Sequence, residues 1–458
     1  MHTRDTPRDA PQHTSQQAPQ HAPAARRLAG TLLAVCCLLL TACGSGSGAA
    51  SAGADRPTTI SYWTWLGGMQ QVVDRFNATH SDVRVVLSKI PAGTSGGYSK
   101  MFTAVRAGNP PDAATVEYPE IPAFATQGAI QDLTPYGGAD LESKYPAWVW
   151  GMVDQGGKVW GLPRDIAPMV LYYRTDLLAK YGLTVPTTWA EYAADAKTIH
   201  QQNPKAVIGA FSTGDSALLA GLAWQAGAQW FSTPGDSWKV STQDPASNKV
   251  AAFWQPLVSG GLVANEPAYA QQWTADLQAG NLVTAIGGPW SAAYLQRLAP
   301  KEAGKWAVAP MPQWPGQPVG DGTNGGSTMV MLKGSKHPQQ VMEFLDWVSN
   351  SPDSIKAVEP VSPGAYPAAL ASIPVAKQVF DSTQTFYTGT SLFDVAAQAS
   401  STVGTGWQWG PDMAQSLNDL NDALAGSMTA PGGLRAAMDS WERTTIADLR
   451  ERGMNVSG

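Results

Sequence analysis

Cysteine is nearly absent from this sequence of 458 residues: its three cysteines all lie between positions 36 and 43. The rest of the chain therefore cannot form an internal disulfide. Histidine is also scarce, with six residues in all, and those beyond position 43 are the widely separated His80, His200 and His337. Zinc and copper sites are built mainly from thiolate and imidazole ligands, so the sequence argues against a metal site of that kind.

Charge is sparse as well. Asp, Glu, Lys and Arg make up 14% of the chain, whereas about 25% is usual for soluble domains. The net charge is −6 and no stretch is strongly basic. An acidic chain without a basic cluster argues against nucleic acid and against anionic lipid headgroups as partners, and it is compatible with a neutral ligand.

Only one long hydrophobic run is present, at positions 28–42, directly after Arg26-Arg27. A run of about 15 residues is shorter than the ~20 that a membrane-spanning helix needs, but it is typical of a secretory signal peptide. We predict a signal peptide over residues 1–42, with a long n-region unless the start codon lies further downstream. The arginine pair leaves general secretory and twin-arginine export both open.

The apolar run ends in LTAC at positions 40–43, which resembles the bacterial lipobox, where the cysteine becomes the lipidated first residue of the mature protein. Cleavage there removes the other two cysteines, so Cys43 is predicted to be a lipid anchor. An ordinary secretory signal with an incidental cysteine is the alternative. The Gly/Ser/Ala-rich residues 43–57 then form a flexible tether, with an r.m.s. span of roughly 20 Å.

The remaining chain is long enough for two domains. Its first part alternates strand and helix patterns, which is typical of an α/β fold with a parallel, doubly wound sheet. In such sheets ligands bind beyond the carboxyl ends of the strands, where Trp65 and Glu117-Tyr118 lie. The predicted strands are 58–65, 83–90 and 112–116, and the predicted helices are 69–77, 98–107 and 121–128.

The later chain is less regular. An extended run at 159–173 precedes a helix at 188–200 and a long region predicted to be helical up to about residue 298. A strand at 328–332 and a helix at 338–350 follow, and Trp347 in that helix is predicted to be structural. Residues 391–450 are predicted to be helical except for a break at 404–411.

Five segments in the same order resemble the extracellular solute-binding proteins of ABC sugar importers, the maltose-binding-like class: SYWTW, AGNPPDAATVE with QGAIQDLTPY, GKVWGLPRDIAPMVLYYRTDLL with PTTWAEY, LQAGNLVTAIGGPW, and GGSTMVMLKGSKHPQQVMEFLDWV. The resemblance covers about residues 58–450. It implies a monomeric receptor without a cofactor, which binds a sugar between two α/β lobes and delivers it to permease subunits.

The same resemblance implies the boundaries of the lobes in a type II periplasmic-binding-protein-like fold. The N-terminal lobe comprises 58–162 and 327–362, and the C-terminal lobe comprises 163–326 and 363–458. The chain would cross between them near 162–164, 325–328 and 361–364, where Gly and Pro residues suit a hinge.

Sugars present hydroxyl groups around apolar ring faces, so a sugar site needs aromatic surfaces together with carboxylate, amide or guanidinium groups. The chain has 18 tryptophans, and those in loops favour an oligosaccharide. Trp290 in the GGPW turn aligns with the family's stacking position. Trp407 and Trp409 lie in the GWQWGP break, where one of them can face the cleft while the other packs.

Further candidates come from strand ends and crossings. Trp65, Glu117 and Tyr118 end strands, and Asp165 follows the first crossing, although an ordinary turn aspartate is an equal alternative. Trp224 and Trp230 lie in an apolar segment where core packing is the default. Gly326 and Ser327 offer backbone and hydroxyl groups. No residue is assigned to catalysis or to a metal.

Three alternatives stay open at this stage. A secreted glycoside hydrolase also uses aromatics and carboxylates, although no nucleophile or metalloenzyme motif is present. The same fold can bind a polyamine, a peptide or ferric ion instead of a sugar. A sensor that presents its ligand to a signalling receptor would have the same binding chemistry as a transport receptor.

Overall fold

The computed structural model describes residues 56–427 and 432–457. The predicted signal peptide, Cys43 and nearly all of the predicted tether lie outside these residues. Within them, no helix combines the length and the apolar character needed to cross a membrane.

Strands and helices alternate from the start of the described chain. The strands of the described ranges are β1 Thr58–Thr64, β2 Val83–Lys89, β3 Ala113–Glu117, β4 Asp154–Gln155, β5 Lys158–Val159, β6 Leu162–Pro168, β7 Val170–Arg174, β8 Phe231–Ser232, β9 Trp238–Val240, β10 Thr284–Gly287, β11 Trp306–Pro310, β12 Thr323–Met331, β13 Tyr387–Thr388 and β14 Val456–Ser457.

The α-helices of the same ranges are α1 Met69–Thr79, α2 Tyr98–Arg106, α3 Ile121–Thr126, α4 Ala147–Trp150, α5 Thr175–Tyr181, α6 Trp189–Gln202, α7 Ser216–Gln225, α8 Pro245–Ser259, α9 Gln271–Ala279, α10 Ser291–Leu298, α11 Pro338–Asn350, α12 Pro352–Val358, α13 Ile373–Thr383, α14 Leu392–Ser400, α15 Met413–Ser427 and α16 Gly433–Glu451.

The first large sheet has five strands in the order β2-β1-β3-β12-β6. β1 runs parallel to β2 and β3, whereas β12 runs antiparallel to both β3 and β6. This register places Ser327 of β12 opposite Glu117 on one side and opposite Asp165 on the other. The register therefore brings three predicted contact residues to the same level of the sheet.

The second large sheet has four strands in the order β10-β7-β11-β13. The chain enters it from the first sheet between Pro168 and Val170, where β6 is followed by β7. It returns between Pro310 and Thr323, where β11 is followed by β12. The described residues, 56–427 and 432–457, belong to one compact unit, so the lobe boundaries named above stay a prediction.

The helices cover the sheets with apolar faces. Tyr62 of β1 is fully buried, and its ring centroid lies 5.4 Å from that of Phe344 in α11. Phe76 of α1 packs edge-on against Phe344 and against Trp347. Trp347 is therefore a packing residue at the edge of the core, as predicted.

Two sequence predictions about the fold are wrong in part. The first sheet is not wholly parallel, because the predicted strand at 328–332 is the antiparallel β12, which begins at Thr323. The region predicted to be helical up to residue 298 also contains β8, β9 and β10. β10 is a four-residue strand paired with β7, and so short an apolar run cannot be told from helix by periodicity.

Candidate functional site

A cavity of about 510 Å³ lies at the carboxyl ends of β1 and β3. Its wall also includes the start of β12, the turn before α10, the N-terminal turn of α7 and part of α15. The sequence-predicted residues that line it are Trp65, Glu117, Tyr118, Asp165, Trp290, Gly326, Ser327 and Trp409.

Trp65, Glu117 and Tyr118 reach the cavity because they follow or end β1 and β3. Trp65 is partly buried and meets Tyr98 edge-on, with the ring centroids 5.7 Å apart. The Tyr98 hydroxyl donates a hydrogen bond of 2.7 Å to Oε2 of Glu117. Burial raises the pKa of the Glu117 carboxyl, since the site disfavours its charged form.

Asp165 connects β6 to β12 at the floor of the cavity. Its Oδ1 accepts hydrogen bonds of 2.7 Å from both the backbone N–H and the hydroxyl of Ser327. Its Oδ2 pairs with the guanidinium of Arg164, which is also buried. Its backbone carbonyl accepts a bond of 3.1 Å from the Tyr118 hydroxyl. Both carboxylate oxygens therefore already have partners, and Asp165 holds the strands in register.

Gly326 allows this close packing. Its φ of +98° lies in the left-handed region, and a Cβ there would come within 2.9 Å of the Tyr118 ring. The backbone conformation and the contact with Tyr118 therefore both require glycine at this point of β12, whether or not it contacts a ligand.

Trp290 is held by its surroundings as well as by its turn. Its indole Nε1–H donates a hydrogen bond of 2.8 Å to the backbone carbonyl of Asn324. A Cβ at Gly288 would lie 2.6 Å from Nε1, and one at Gly325 would lie 3.0 Å from it. Tyr269 and Tyr294 contact the ring from the other directions. The partly buried indole is thus fixed in one position at the cavity wall.

Three predicted tryptophans do not line this cavity. Trp224 is buried, donates a hydrogen bond of 2.9 Å to the carbonyl of Gly404, and stacks on Trp407 with 4.9 Å between ring centroids. Trp230 is fully buried and donates a bond of 2.8 Å to the Ser247 hydroxyl. The packing that the sequence favoured for Trp224 and Trp230 is what the structure shows.

Trp407 faces a second cavity of about 500 Å³ instead of the first. Trp409 lies in the wall of both cavities. The two rings pack edge-on against each other with 5.2 Å between their centroids, and Trp409 is the one that also lines the first cavity.

Sequence reasoning missed several side chains that line the first cavity. Glu120 follows β3 in a short 3-10 turn, Tyr118–Glu120. Asp215 caps α7, where its Oδ1 accepts a bond of 3.0 Å from the backbone N–H of Leu218. Asn421 of α15 accepts a bond of 2.9 Å from the backbone N–H of Ser216, which holds α15 against α7.

The capping pattern of aspartate before an apolar helix is a signal that could have identified Asp215. The other missed polar or aromatic lining residues include Arg164, Tyr294, Asn324, Tyr366 and Asn418.

The electrostatics of the wall follow from burial. Glu120 is 3% exposed, and burial, with smaller contributions from Glu117 and Asp412, raises its pKa to about 8. Burial also raises the pKa of Asp215. The wall thus combines aromatic faces, hydrogen-bond acceptors and amide groups in a cavity of the size that small ligands fill.

Comparison with known proteins identifies the family. Residues 62–353, more than half of the chain, match the model of the family described as bacterial extracellular solute-binding protein. The chain belongs to this family. Among curated relatives, this solute-binding protein is 22% identical to the arabinooligosaccharide-binding protein of Bacillus subtilis over 67% of its own length and 72% of the relative's. It is 23% identical to the lactose-binding protein of Rhizobium radiobacter, over 63% and 69%.

Solved structures of similar proteins agree with this family assignment. This solute-binding protein is 27% identical, with a TM-score of 0.77, to the ABC-transporter-associated binding protein of B. animalis subsp. lactis in complex with β-1,6-galactobiose, covering 88% of this chain and 100% of that one. The same identity and TM-score hold for the galacto-N-biose/lacto-N-biose I-binding protein of Bifidobacterium longum, with 88% and 99% covered. These structures confirm the predicted fold class, the two-lobed α/β fold of type II periplasmic binding proteins.

Proposed function

We propose that this solute-binding protein binds an oligosaccharide in the first cavity and delivers it to the permease subunits of an ABC importer. The observation that carries the proposal is the composition of the cavity wall. Indole and phenol rings from Trp65, Trp290, Trp409 and Tyr294 share it with carboxyl and amide groups. Ring faces cover the apolar faces of sugars, and the polar groups bind hydroxyls.

The relatives support this reading. Those named above carry arabinooligosaccharide and lactose in their names, and the structures named above hold disaccharides. A cavity of about 510 Å³ has room for a disaccharide or a short oligosaccharide. The protein acts as a receptor and turns over no ligand, and it needs no cofactor.

A thermal-shift screen over a panel of neutral and amino-substituted di- and trisaccharides tests the proposal, because a ligand that binds the folded state raises the melting temperature. Incubation of the protein with labelled oligosaccharides provides the control for catalysis. Stabilisation by at least one saccharide without turnover is expected. Stabilisation by polyamines or peptides alone, or release of shorter sugars, would contradict the proposal.

The receptor is proposed to act as a monomer at the outer face of the cell membrane, anchored by lipid on Cys43. Relatives include solute-binding proteins named as lipoproteins. Replacing Cys43 with alanine should move the protein from the membrane fraction to the soluble fraction, with an unchanged melting temperature. Recovery of Cys43→Ala in the membrane fraction at the wild-type level would contradict lipid anchoring.

A further inference from the structure

Acidic groups outnumber basic groups in the cavity wall. Among the described residues that line the cavity, four are acidic, namely Glu117, Glu120, Asp165 and Asp215, and Arg164 is the single basic one. Arg164 pairs with Asp165. Glu117, Glu120 and Asp215 take part in no ion pair among the described residues. A ligand that enters the cavity therefore meets three carboxyl groups that have no basic partner among the described residues.

Glu120 is the most unusual of the three. Its side chain is more than nine-tenths buried, yet no hydrogen bond to it is formed within the described residues. Both of its carboxyl oxygens retain some solvent-accessible surface. Because Glu120 lines the cavity, a ligand in the cavity has access to them. Buried polar groups nearly always have a partner, and an orphaned one that opens into a cavity points to a ligand group.

Glu117 and Asp215 have each used only part of their acceptor capacity. Oε2 of Glu117 accepts the bond from Tyr98, and Oδ1 of Asp215 accepts the bond from Leu218. The second oxygen of each carboxyl has no partner among the described residues and is not sealed off. Aromatic faces of Trp65, Tyr118 and Trp290 lie in the same wall, and such faces attract cations electrostatically.

We propose that the ligand carries a positively charged amino group, which Glu117 and Glu120 bind, so that the substrate class is an oligosaccharide containing an amino sugar. This inference rests on the proposed function and narrows it. An ammonium group supplies up to three hydrogen-bond donors and a positive charge that stabilises the ionised form of these carboxyl groups. The hydroxyl of a neutral sugar supplies no counter-charge and leaves the Glu120 carboxyl protonated.

Matched saccharides test the inference. The probes are glucosamine and galactosamine di- and trisaccharides, their fully N-acetylated forms, and the neutral parent oligosaccharides with a hydroxyl in place of each amine. Calorimetric titration at pH 7 should give a dissociation constant at least about tenfold lower for one amino form than for its N-acetylated and neutral counterparts. Binding should also release most of a proton, because Glu120, with a pKa of about 8, ionises when it pairs with the ammonium group.

The outcomes separate this inference from the proposed function. If a neutral saccharide binds and its amino form binds no better, the inference is overturned and the proposed function stands. If no saccharide of either kind binds, both are overturned. If spermidine binds and no saccharide does, the cavity is a polyamine site and both are again overturned.

Substitutions in the cavity wall test which carboxyl groups contact the amino group of the ligand. Glu120→Gln and Glu117→Gln should each reduce the preference for the amino form about tenfold, measured as the ratio of its affinity to that of the neutral form. Glu120→Gln should also abolish the proton release. Glu142→Gln is the matched control, because it removes one negative charge from an exposed side chain outside the cavity wall. Preference and proton release that persist in both cavity variants would contradict the assignment.

Discussion

The wall of the first cavity and the interior next to it are built from the same kinds of side chain. Trp290 at the wall and Trp230 in the interior both donate their indole N–H to an oxygen acceptor, at 2.8 Å in each case. They differ in what lies against the ring faces: Trp230 is enclosed by Trp407 and Trp441, whereas Trp290 keeps part of its ring open to the cavity.

Glutamates make the same contrast. Glu120 at the wall has no hydrogen-bond partner among the described residues, whereas Oε1 of the fully buried Glu359 accepts a bond of 2.6 Å from the backbone N–H of Gly364. Oε2 of Glu359 also has no hydrogen-bond partner among the described residues, but it is enclosed by the protein, whereas Glu120 lines the cavity. The difference teaches that residue type does not separate a candidate binding residue from a packing residue. What separates them is whether the unoccupied part of the side chain faces the cavity or the interior.

Trp230→Ala tests the interior half of the comparison and should have the largest effect. Removing a fully enclosed indole leaves a cavity and removes the hydrogen bond to Ser247, whose hydroxyl keeps its bond to Asp244, so the free energy of unfolding should fall by about 3–5 kcal/mol. Denaturant titration followed by circular dichroism measures this. A loss below about 1 kcal/mol would contradict the packing role.

Trp290→Ala tests the proposed binding role of the tryptophan in the cavity wall. It should weaken saccharide binding by roughly 1–4 kcal/mol, or about tenfold to a thousandfold in dissociation constant, and leave the fold intact. Calorimetric titration measures the affinity. Trp347→Ala is the control, since its ring packs against Phe76 outside the cavity and its loss should lower the melting temperature only. Wild-type affinity in Trp290→Ala would remove Trp290 from the proposed site.

Trp409 is both a wall residue and a packing residue. It lines the cavity, and its ring packs edge-on against Trp407 with 5.2 Å between the ring centroids. Trp409→Ala should therefore lower the free energy of unfolding by about 1–3 kcal/mol and weaken saccharide binding about tenfold. Trp409→Phe, which keeps a ring, should recover most of each. A loss confined to stability would place Trp409 wholly in the interior group.

The glutamate contrast predicts the smallest effect, a dependence of stability on pH. Burial raises the pKa of both Glu120 and Glu359 from 4.5 to about 8. Between these values the folded state binds a proton that the unfolded state has lost, so stability falls as pH rises. From pH 6 to pH 7 each group should lower the free energy of unfolding by about 1.4 kcal/mol.

Glu120→Gln and Glu359→Gln should each remove the contribution of that glutamate to the dependence of the unfolding free energy on pH. The charged groups that act on Glu120 are Glu117 and Asp412, the latter paired with Arg452, and Arg164 acts on Glu359. Saturation with the bound saccharide should change the part of the slope that comes from Glu120 and leave the part that comes from Glu359 unchanged. An equal change in Glu120→Gln would show that the ligand does not reach this carboxyl.

Much of the fold was predictable from local patterns. Helix α11 begins and ends as predicted because a proline at its first turn and an apolar stripe define it. β1, β2 and β3 differ from their predicted bounds by one residue at an end or at both ends. The antiparallel direction of β12 was not predictable, since strand direction depends on where the chain returns to the sheet.

The site was predictable at strand ends and in turns, and not elsewhere. Trp65 and Glu117 follow from the position of the strands, and Trp290 follows from its Gly/Pro turn. Glu120, Asp215 and Asn421 come from three segments that only the tertiary fold brings together. Trp224 and Trp409 are equally apolar in sequence, and their neighbours in space decide which one reaches the cavity.

The glycines around Trp290 constrain how this sequence can diverge. Gly288 and Gly325 need touch no ligand, yet a methyl group at either position would push against the indole nitrogen. The fixed position of the ring therefore depends on these two glycines as well as on the tryptophan itself. Homologues that have changed their ligand should retain this glycine–tryptophan set and vary instead at residues such as Asn418, which lines the cavity on a different element.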